Sequence, residues 1–219
     1  MSFILKNIEV EFGGFNALAI DSIEIPTSKT TWITGPNGSG KTTFLKLLAG
    51  LIAPKTGIFS YNYKNLITKK NYMEYRQKTT FLSQEPYLFR GTVLKNVMYG
   101  LNNRKFARKE LKIKALNAMQ QTGTLDLSNR DSKHLSVGEK KRVALARCIA
   151  IDYETFLLDE PLAGLDENSI SQITNLIKEL SQLKKTLIIS THNHEIIKNK
   201  NDFFIHLESG KIKNLSNKK

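Results

Sequence analysis

At 219 residues the chain can build one good-sized domain or two small lobes around a stable core. Its single cysteine, Cys148, excludes an internal disulfide and suits a reducing compartment. The formal net charge of +13 invites a nucleic-acid or anionic-surface partner, yet the lysines are scattered and no base-reading motif with stacking aromatics accompanies them, so no nucleic-acid partner is expected. No apolar run approaches the ~18 residues that span a bilayer. The start of the chain lacks the basic-then-apolar order of a secretory signal, so the chain is expected to be soluble by itself.

In chain order, Phe3 to Val10 alternates apolar and polar positions (Phe3, Leu5, Ile8, Val10) with a break at Asn7, which predicts a half-exposed strand. Thr30 to Thr34 predicts a buried strand, and residues 35–43 follow it as Gly-Pro-Asn-Gly-Ser-Gly-Lys-Thr-Thr, a full match to G-x-x-x-x-G-K-[ST]. Phe44, Leu45, Leu47 and Leu48 then give a helix with an apolar face. A strand before the loop and a helix after it are the context a phosphate loop requires, so the segment predicts binding of a nucleoside triphosphate. Gly35, Gly38 and Gly40 let the backbone turn its N–H groups toward the phosphates, together with those of Asn37, Ser39 and Thr43, with Pro36 as a further neighbour in the cradle. Proline has no N–H and contributes only its shape and carbonyl. Lys41 is assigned to the β- and γ-phosphates and the Thr42 hydroxyl to Mg²⁺.

Further short β-rich runs are predicted at Thr79 to Ser83, Thr155 to Leu158, Thr186 to Ser190 and Phe203 to Leu207, separated by helical patterns. That alternation is the order of a mostly parallel α/β sheet. From Glu85 to Ser136 the pattern turns mostly helical, with a charged helix over Arg104 to Gln121 ended by Gly123. Ile170, Ile173, Leu176, Ile177, Leu180 and Leu183 form the core face of a later helix, Cys148 fills a core in an apolar helical stretch, and the Lys/Asn-rich tail after Leu215 is expected to fray.

Residues 135–142, Leu-Ser-Val-Gly-Glu-Lys-Lys-Arg, resemble the signature sequence of ATP-binding-cassette ATPases. After a helix comes Thr-Phe-Leu-Leu-Asp-Glu at 155–160, similar to that family's acidic strand: Asp159 is placed to hold Mg²⁺ through water and Glu160 to orient and deprotonate the attacking water. The resemblance implies further roles. Gln84 would sense Mg²⁺ and the γ-phosphate, Pro161 to Asp166 would form the loop that carries Asp166 to the nucleotide, and His192 in Ser-Thr-His-Asn would be the switch histidine. Phe12 would stack on adenine, and Ser136 and Gly138 would face a neighbour's phosphate. Val137 departs from the usual glycine, and its β-branched side chain is expected to resist positive φ and crowd that phosphate.

The resemblance covers the chain from Phe3 to about Leu215 and implies an α/β P-loop NTPase (RecA-like) core with a mostly parallel sheet, an N-terminal antiparallel β part and an inserted helical lobe. Residues 1–84 and 150–219 are assigned to the catalytic core and 85–149 to the lobe with the signature. ATP and Mg²⁺ are the implied cofactors. The implied partners are a second copy in an ATP-dependent head-to-tail dimer, transmembrane permease subunits, and a substrate-binding protein. The chain would then sit peripherally on the cytoplasmic side of the plasma membrane.

One cassette with no fused membrane segment points to a stand-alone transporter subunit. The segment Tyr87 to Gly100 resembles bacterial importers of oxyanions such as tungstate. Tyr87, Leu88 and Phe89 either line the groove for a permease helix or pack inside the lobe. The alternative function is a soluble ATPase of repair, cluster assembly or the ribosome.

Overall fold

The structure is a computed structural model and describes residues 1–101, 107–192 and 201–217. Two compact units emerge: Met1–Phe81 with Glu154–Glu160 and Leu180–Lys219, and Leu82–Tyr153 with Pro161–Glu179.

The first unit holds two sheets. Strands β1 (Ser2–Phe12) and β2 (Phe15–Pro26) form an antiparallel hairpin closed at Gly13 and Gly14, and β4 (Thr56–Tyr61) with β5 (Lys64–Asn65) completes a four-stranded sheet in the order β2-β1-β4-β5. The inward side chains are Phe3, Leu5, Ile8 and Val10 on β1 and Leu18, Ile20, Ile23 and Ile25 on β2, all buried. The break at Asn7 is a bulge: its φ is 51° and the register against β4 slips between Lys6 and Glu9. Gly57 faces that bulge, where a Cβ would lie 2.3 Å from the Asn7 carbonyl oxygen, so only glycine fits the close approach. The strand is thus longer than the predicted Phe3 to Val10.

The second sheet has six strands in the order β10-β9-β3-β8-β7-β6, from β3 (Thr30–Thr34), β6 (Thr79–Leu82), β7 (Thr155–Asp159), β8 (Thr186–Ser190), β9 (Phe203–Glu208) and β10 (Lys211–Asn217). β3 pairs in parallel with β8 and β9, and β7 with β8, whereas β10 returns antiparallel to β9. The uninterrupted apolar runs of β7 and β8 are buried along their whole length, as interior parallel strands require. Helix α1 (Lys41–Leu48) buries Phe44, Leu45, Leu47 and Leu48 in one core with residues of both sheets, including Phe3, Ile25, Ile33, Leu157 and Ile205. Filling that core side by side, these groups fix α1, and with it the loop at its N-terminus. Tyr75 of α2 (Lys69–Arg76) closes the far edge, edge-on to Phe59 at 5.7 Å between ring centroids.

The second unit is built on α5 (Val137–Ile151), against which α3 (Val93–Tyr99) and α4 (Arg108–Gln121) pack. Within the described residues α4 starts at Arg108; the predicted start at Arg104 lies outside them. Cys148 is buried on α5. Helix α6 (Glu167–Gln182) buries Ile173, Leu176, Ile177 and Leu180, but Leu183 is 70% exposed. The helix has ended by then, so Leu183 no longer follows the helical period that placed it on the core face. Tyr87 and Phe89 are exposed and stack edge-on at 5.4 Å, with Phe89 also 4.1 Å from the Tyr99 ring, so these aromatics lie on the surface of the unit rather than in its interior. The tail expected to fray after Leu215 instead continues as β10 to Asn217, because β9 offers it a hydrogen-bonding edge. No described helix is long and apolar enough to cross a membrane.

Candidate nucleotide site

The site grows out of the end of β3. Gly35 follows that strand at φ 145°, where a Cβ would lie 2.1 Å from the Leu207 carbonyl oxygen, so the backbone presses against β9 with no room for a side chain. The loop then turns through Gly38 and Gly40 into α1, with the Phe44 amide donating to the Gly40 carbonyl at 2.8 Å. Gly40 is the N-cap and supplies no side chain to the first amides; the first turn carries no acidic residue. An uncapped helix start with a positive dipole end is a ready anion site.

Lys41 is 8% exposed, and its ammonium donates to the carbonyl oxygens of Gly35 at 2.8 Å and Pro36 at 3.0 Å. No carboxylate lies within ion-pair reach of it among the described residues, so a nearly buried positive charge is held by neutral carbonyls alone. Ser39 adds a buried hydroxyl with no hydrogen-bond partner among the described residues. Uncapped amides, a cation without a counter-charge and an orphaned hydroxyl in one loop fit an anionic group such as a chain of phosphates.

Beside the loop, β7 ends in Asp159, which is 1% exposed. Its Oδ2 accepts from the Thr42 hydroxyl at 2.7 Å and its Oδ1 from the Ser190 hydroxyl at 2.5 Å. The Glu160 amide donates to the Ser190 hydroxyl oxygen at 3.0 Å, so one serine at the end of β8 fixes two consecutive acidic residues. Glu160 is buried and held at φ 49°, a left-handed conformation that a glutamate adopts only under constraint. Its Oε1 lies 3.2 Å from Nε2 of His192, whose ring is half exposed.

Thr42 and Asp159 offer hard oxygen donors of the kind that hold Mg²⁺. No group of three or more His, Cys, Asp or Glu side chains able to cage a metal occurs among the described residues. A sparse donor pair suits Mg²⁺, which keeps several waters and takes further ligands from phosphate.

Phe12 also belongs to this unit, exposed at the tip of the β1–β2 hairpin opposite an exposed Phe15. The structure therefore gathers Lys41, Thr42, Asp159, Glu160 and His192 around one loop. Ser190 was missed by sequence reasoning, although a polar residue closing an apolar parallel strand is a signal that could have found it.

Gln84, Ser136, Gly138 and Asp166 belong to the second unit. Gln84 is exposed just beyond β6. Ser136 is the N-cap of α5 in a capping box: its hydroxyl oxygen accepts from the Glu139 amide at 3.2 Å, and the Glu139 carboxylate accepts from the Ser136 amide at 2.8 Å. That backbone hydrogen bond, ahead of the Arg130 guanidinium 3.0 Å away, lowers the Glu139 pKa.

Val137 occupies the first helical position of α5 and is 73% exposed, with a negative φ. The expected resistance to positive φ is therefore not called upon, because the α5 start is an ordinary helical turn. Gly138 abuts the following loop: a Cβ there would lie 3.2 Å from the Gly164 carbonyl oxygen, and Lys141 donates to the Ala163 carbonyl at 2.7 Å. Asp166 caps α6, accepting from the Ser169 amide and hydroxyl at 2.9 Å each, and the amide bond lowers its pKa.

Comparison with known proteins agrees with this geometry. The sequence profile of the ABC transporter family matches residues 18–163. The tungstate uptake system ATP-binding protein TupC of Peptoclostridium acidaminophilum is 32% identical over 213 residues, covering 97% of this chain and 97% of that protein. Among solved structures, cbiO1 from Clostridium perfringens, described as part of the ABC transporter complex cbiONQ, superposes with a TM-score of 0.83 at 29% identity, covering 99% of this chain and 88% of that one. A dimeric ATP-binding cassette captured after hydrolysis with ADP and Pi shares the fold, with a TM-score of 0.88 at 24% identity over 99% of both chains. The chain thus belongs to the ABC transporter family, and it is an ATP-binding cassette whose ATPase activity is coupled to transport.

Proposed function

We propose that this cassette works as half of a head-to-tail dimer that hydrolyses Mg²⁺-bound ATP to drive separate permease subunits, in an importer for an oxyanion such as tungstate. The observation that carries the chemistry is the chain of contacts from Thr42 through Asp159 and Ser190 to Glu160 and His192, set beside a phosphate loop whose lysine has no counter-charge among the described residues. Gly35 to Thr43 wrap the phosphates with backbone amides, including those of Asn37, Gly38 and Ser39, while Lys41 exchanges its carbonyl partners for the β- and γ-phosphates. Mg²⁺, when bound, would neutralise developing phosphate charge, and Thr42 and Asp159 are the residues of the first unit that would hold it.

Glu160 orients the attacking water and takes its proton. The Ser190 hydroxyl on its amide and the imidazole of His192 on its carboxylate keep it in one geometry. Phe12 offers a ring to adenine.

The second unit supplies the other half of each shared site. Ser136 accepts a hydrogen bond from Glu139, which leaves its own O–H to donate to a neighbouring chain's γ-phosphate. Gly138 and the start of α5 bring a positive helix end, and Asp166 orders the adjoining loop. The dimeric cassette holding ADP and Pi supports this arrangement, and cbiO1, part of a transporter complex, supports attachment to membrane subunits. The exposed Tyr87 edges a cavity of about 600 Å³ lined by Pro86, Tyr87, Leu88, Arg90, Asp131, Ser132, Lys133 and Lys140, which suits a permease segment. The full-length match to a tungstate uptake protein supports the cargo class, with a binding protein delivering it, and placement on the cytoplasmic side of the plasma membrane follows from attachment to the permease.

The test is purification of the tagged chain from detergent-solubilised host membranes, followed by ATPase assay of the eluate with and without tungstate and its binding protein. A co-purifying permease whose presence makes hydrolysis respond to loaded binding protein supports the reading. Recovery with ribosomes or cluster-assembly proteins and no permease overturns it in favour of a soluble ATPase.

A further inference from the structure

The outer wall of the phosphate loop is made by the β9–β10 hairpin, which touches the loop at both ends. At the loop's start, the Leu207 carbonyl oxygen occupies the space a Gly35 side chain would need. At its end, the Gly210 amide donates to the Ser39 carbonyl at 3.0 Å, and the Gly210 Cα lies 3.6 Å from where a Gly40 Cβ would stand. The hairpin itself is anchored, since the Ala19 amide donates to the Gly210 carbonyl at 2.9 Å and a Cβ at Gly210 would lie 2.7 Å from the Ala17 carbonyl oxygen. One side-chain pair joins the hairpin to the root of the loop: Nδ1 of His206 lies 3.0 Å from the Thr34 hydroxyl, on paired positions of β9 and β3. Thr34 is the last strand residue before Gly35. Neither residue reaches the phosphates through the contacts assigned above.

We infer that His206 is a positioning residue, which through Thr34 holds the phosphate loop in its nucleotide-binding shape and so sets affinity for ATP. The inference rests on this loop being the ATP site. Apart from His206, Thr34 is held by the backbone pairing of β3 with β9 and by a long contact of 3.5 Å from its hydroxyl to the Ile205 carbonyl, which tolerate small rotations of the strand end. A side-chain hydrogen bond on the face carrying Trp32 and Thr34 removes that freedom just where the backbone must leave the sheet and turn its amides toward an anion. Losing the bond does not remove any group that contacts ATP. It lets the loop sample shapes that do not bind, so affinity falls by the fraction of time the right shape is lost.

The experiment measures equilibrium binding of a fluorescent ATP analogue, steady-state ATPase kinetics and thermal unfolding for wild type, Thr34→Val, His206→Val, the double variant and His206→Asn. Asparagine places an amide atom near the position of Nδ1 and can donate or accept, so it replaces the histidine in either tautomer. The expected result is an affinity loss of about fivefold for each single substitution, the scale of one hydrogen bond, appearing in KM more than in kcat. The double variant is expected to lose no more than either single variant, and His206→Asn to recover most of the affinity. Unchanged affinity in His206→Val, or additive losses in the double variant, overturns the inference, as does a drop in unfolding temperature with affinity intact. Wild type that binds no nucleotide would instead refute the ATP site itself, and the Lys41→Ala chain marks that baseline.

Discussion

The Thr42 hydroxyl donates to Asp159 Oδ2 at 2.7 Å, joining the first turn of α1 to the end of β7 across 117 residues of sequence. Two oxygen donors separated so widely in the chain meet only because α1 is wedged into a core shared by both sheets of its unit. The pair is the proposed Mg²⁺ holder. Asp159→Asn keeps the shape and removes the charge, so Mg²⁺-dependent hydrolysis is expected to fall by about 100-fold or more. Nucleotide binding in EDTA is expected to stay within about threefold, because the loop amides and Lys41 remain. Parallel ATPase and EDTA-binding titrations check both arms; loss of binding in EDTA would show that Asp159 shapes the loop itself.

Ser190 supports two acidic residues at once, with its hydroxyl on Asp159 Oδ1 and its oxygen on the Glu160 amide. In Ser190→Ala the buried Asp159 Oδ1 loses its donor, while the Glu160 amide loses the hydroxyl and keeps only its bond to the Ser190 carbonyl at 3.2 Å; leaving a buried acceptor unsatisfied costs about 1–3 kcal/mol. Chemical denaturation is expected to report a loss in that range, together with a fall in kcat larger than any rise in KM, since Glu160 loses its orientation rather than ATP its binding groups. A kcat equal to wild type would remove Ser190 from the site.

Much of this arrangement was legible in the sequence. The phosphate loop, the acidic pair at the end of an apolar strand and the histidine after the next strand are each adjacent in sequence to an element whose period is plain. The long α/β alternation carries the parallel sheet. What escaped had weaker local signals. β10 is short and rich in Lys and Asn, and it becomes a strand because β9 presents an open edge to it. β2 does alternate through Leu18, Ile20, Ile23 and Ile25, but the step from Ile20 to Ile23 breaks the two-residue period. Likewise the Thr34–His206 and Ser190–Asp159 contacts join residues that only the strand order brings side by side.

Val137 stands where the family pattern has glycine, yet it begins an ordinary helical turn with its side chain in solvent. Val137→Gly therefore relieves no backbone strain and is expected to leave stability unchanged or lower by about 0.5–1 kcal/mol. A gain in unfolding temperature would mean that valine is strained there after all. Gly138→Ala differs, because its Cβ would sit 3.2 Å from the Gly164 carbonyl oxygen and must push the neighbouring loop. It is expected to weaken ATP-dependent association of two chains more than binding of ATP to one, measured by sedimentation against nucleotide titration.

The helix caps set an acid limit on stability. Bonds from the Ser136 amide to Glu139 and from the Ser169 amide to Asp166 lower both carboxylate pKa values in the folded chain. A depressed folded pKa means that the stabilisation is fully present above the ordinary carboxylate range, near pH 4, and is lost as pH falls through the lower folded values. Glu139→Gln retains an acceptor but no charge. Its unfolding midpoint is expected to depend less on pH below about 5 than that of wild type, and to show the same dependence at neutral pH. Identical acid limbs in the two proteins would exclude Glu139 from that transition.

Sedimentation of Glu160→Gln with and without ATP and Mg²⁺ is the most direct test of the claim that each ATP is completed by two chains. The substitution removes the proton acceptor and leaves Lys41, Thr42, Asp159, Ser136 and Gly138 in place. The expected result is a monomer without nucleotide and a stable dimer carrying two ATP when nucleotide is added. A chain that saturates with ATP and still sediments as a monomer would contradict it.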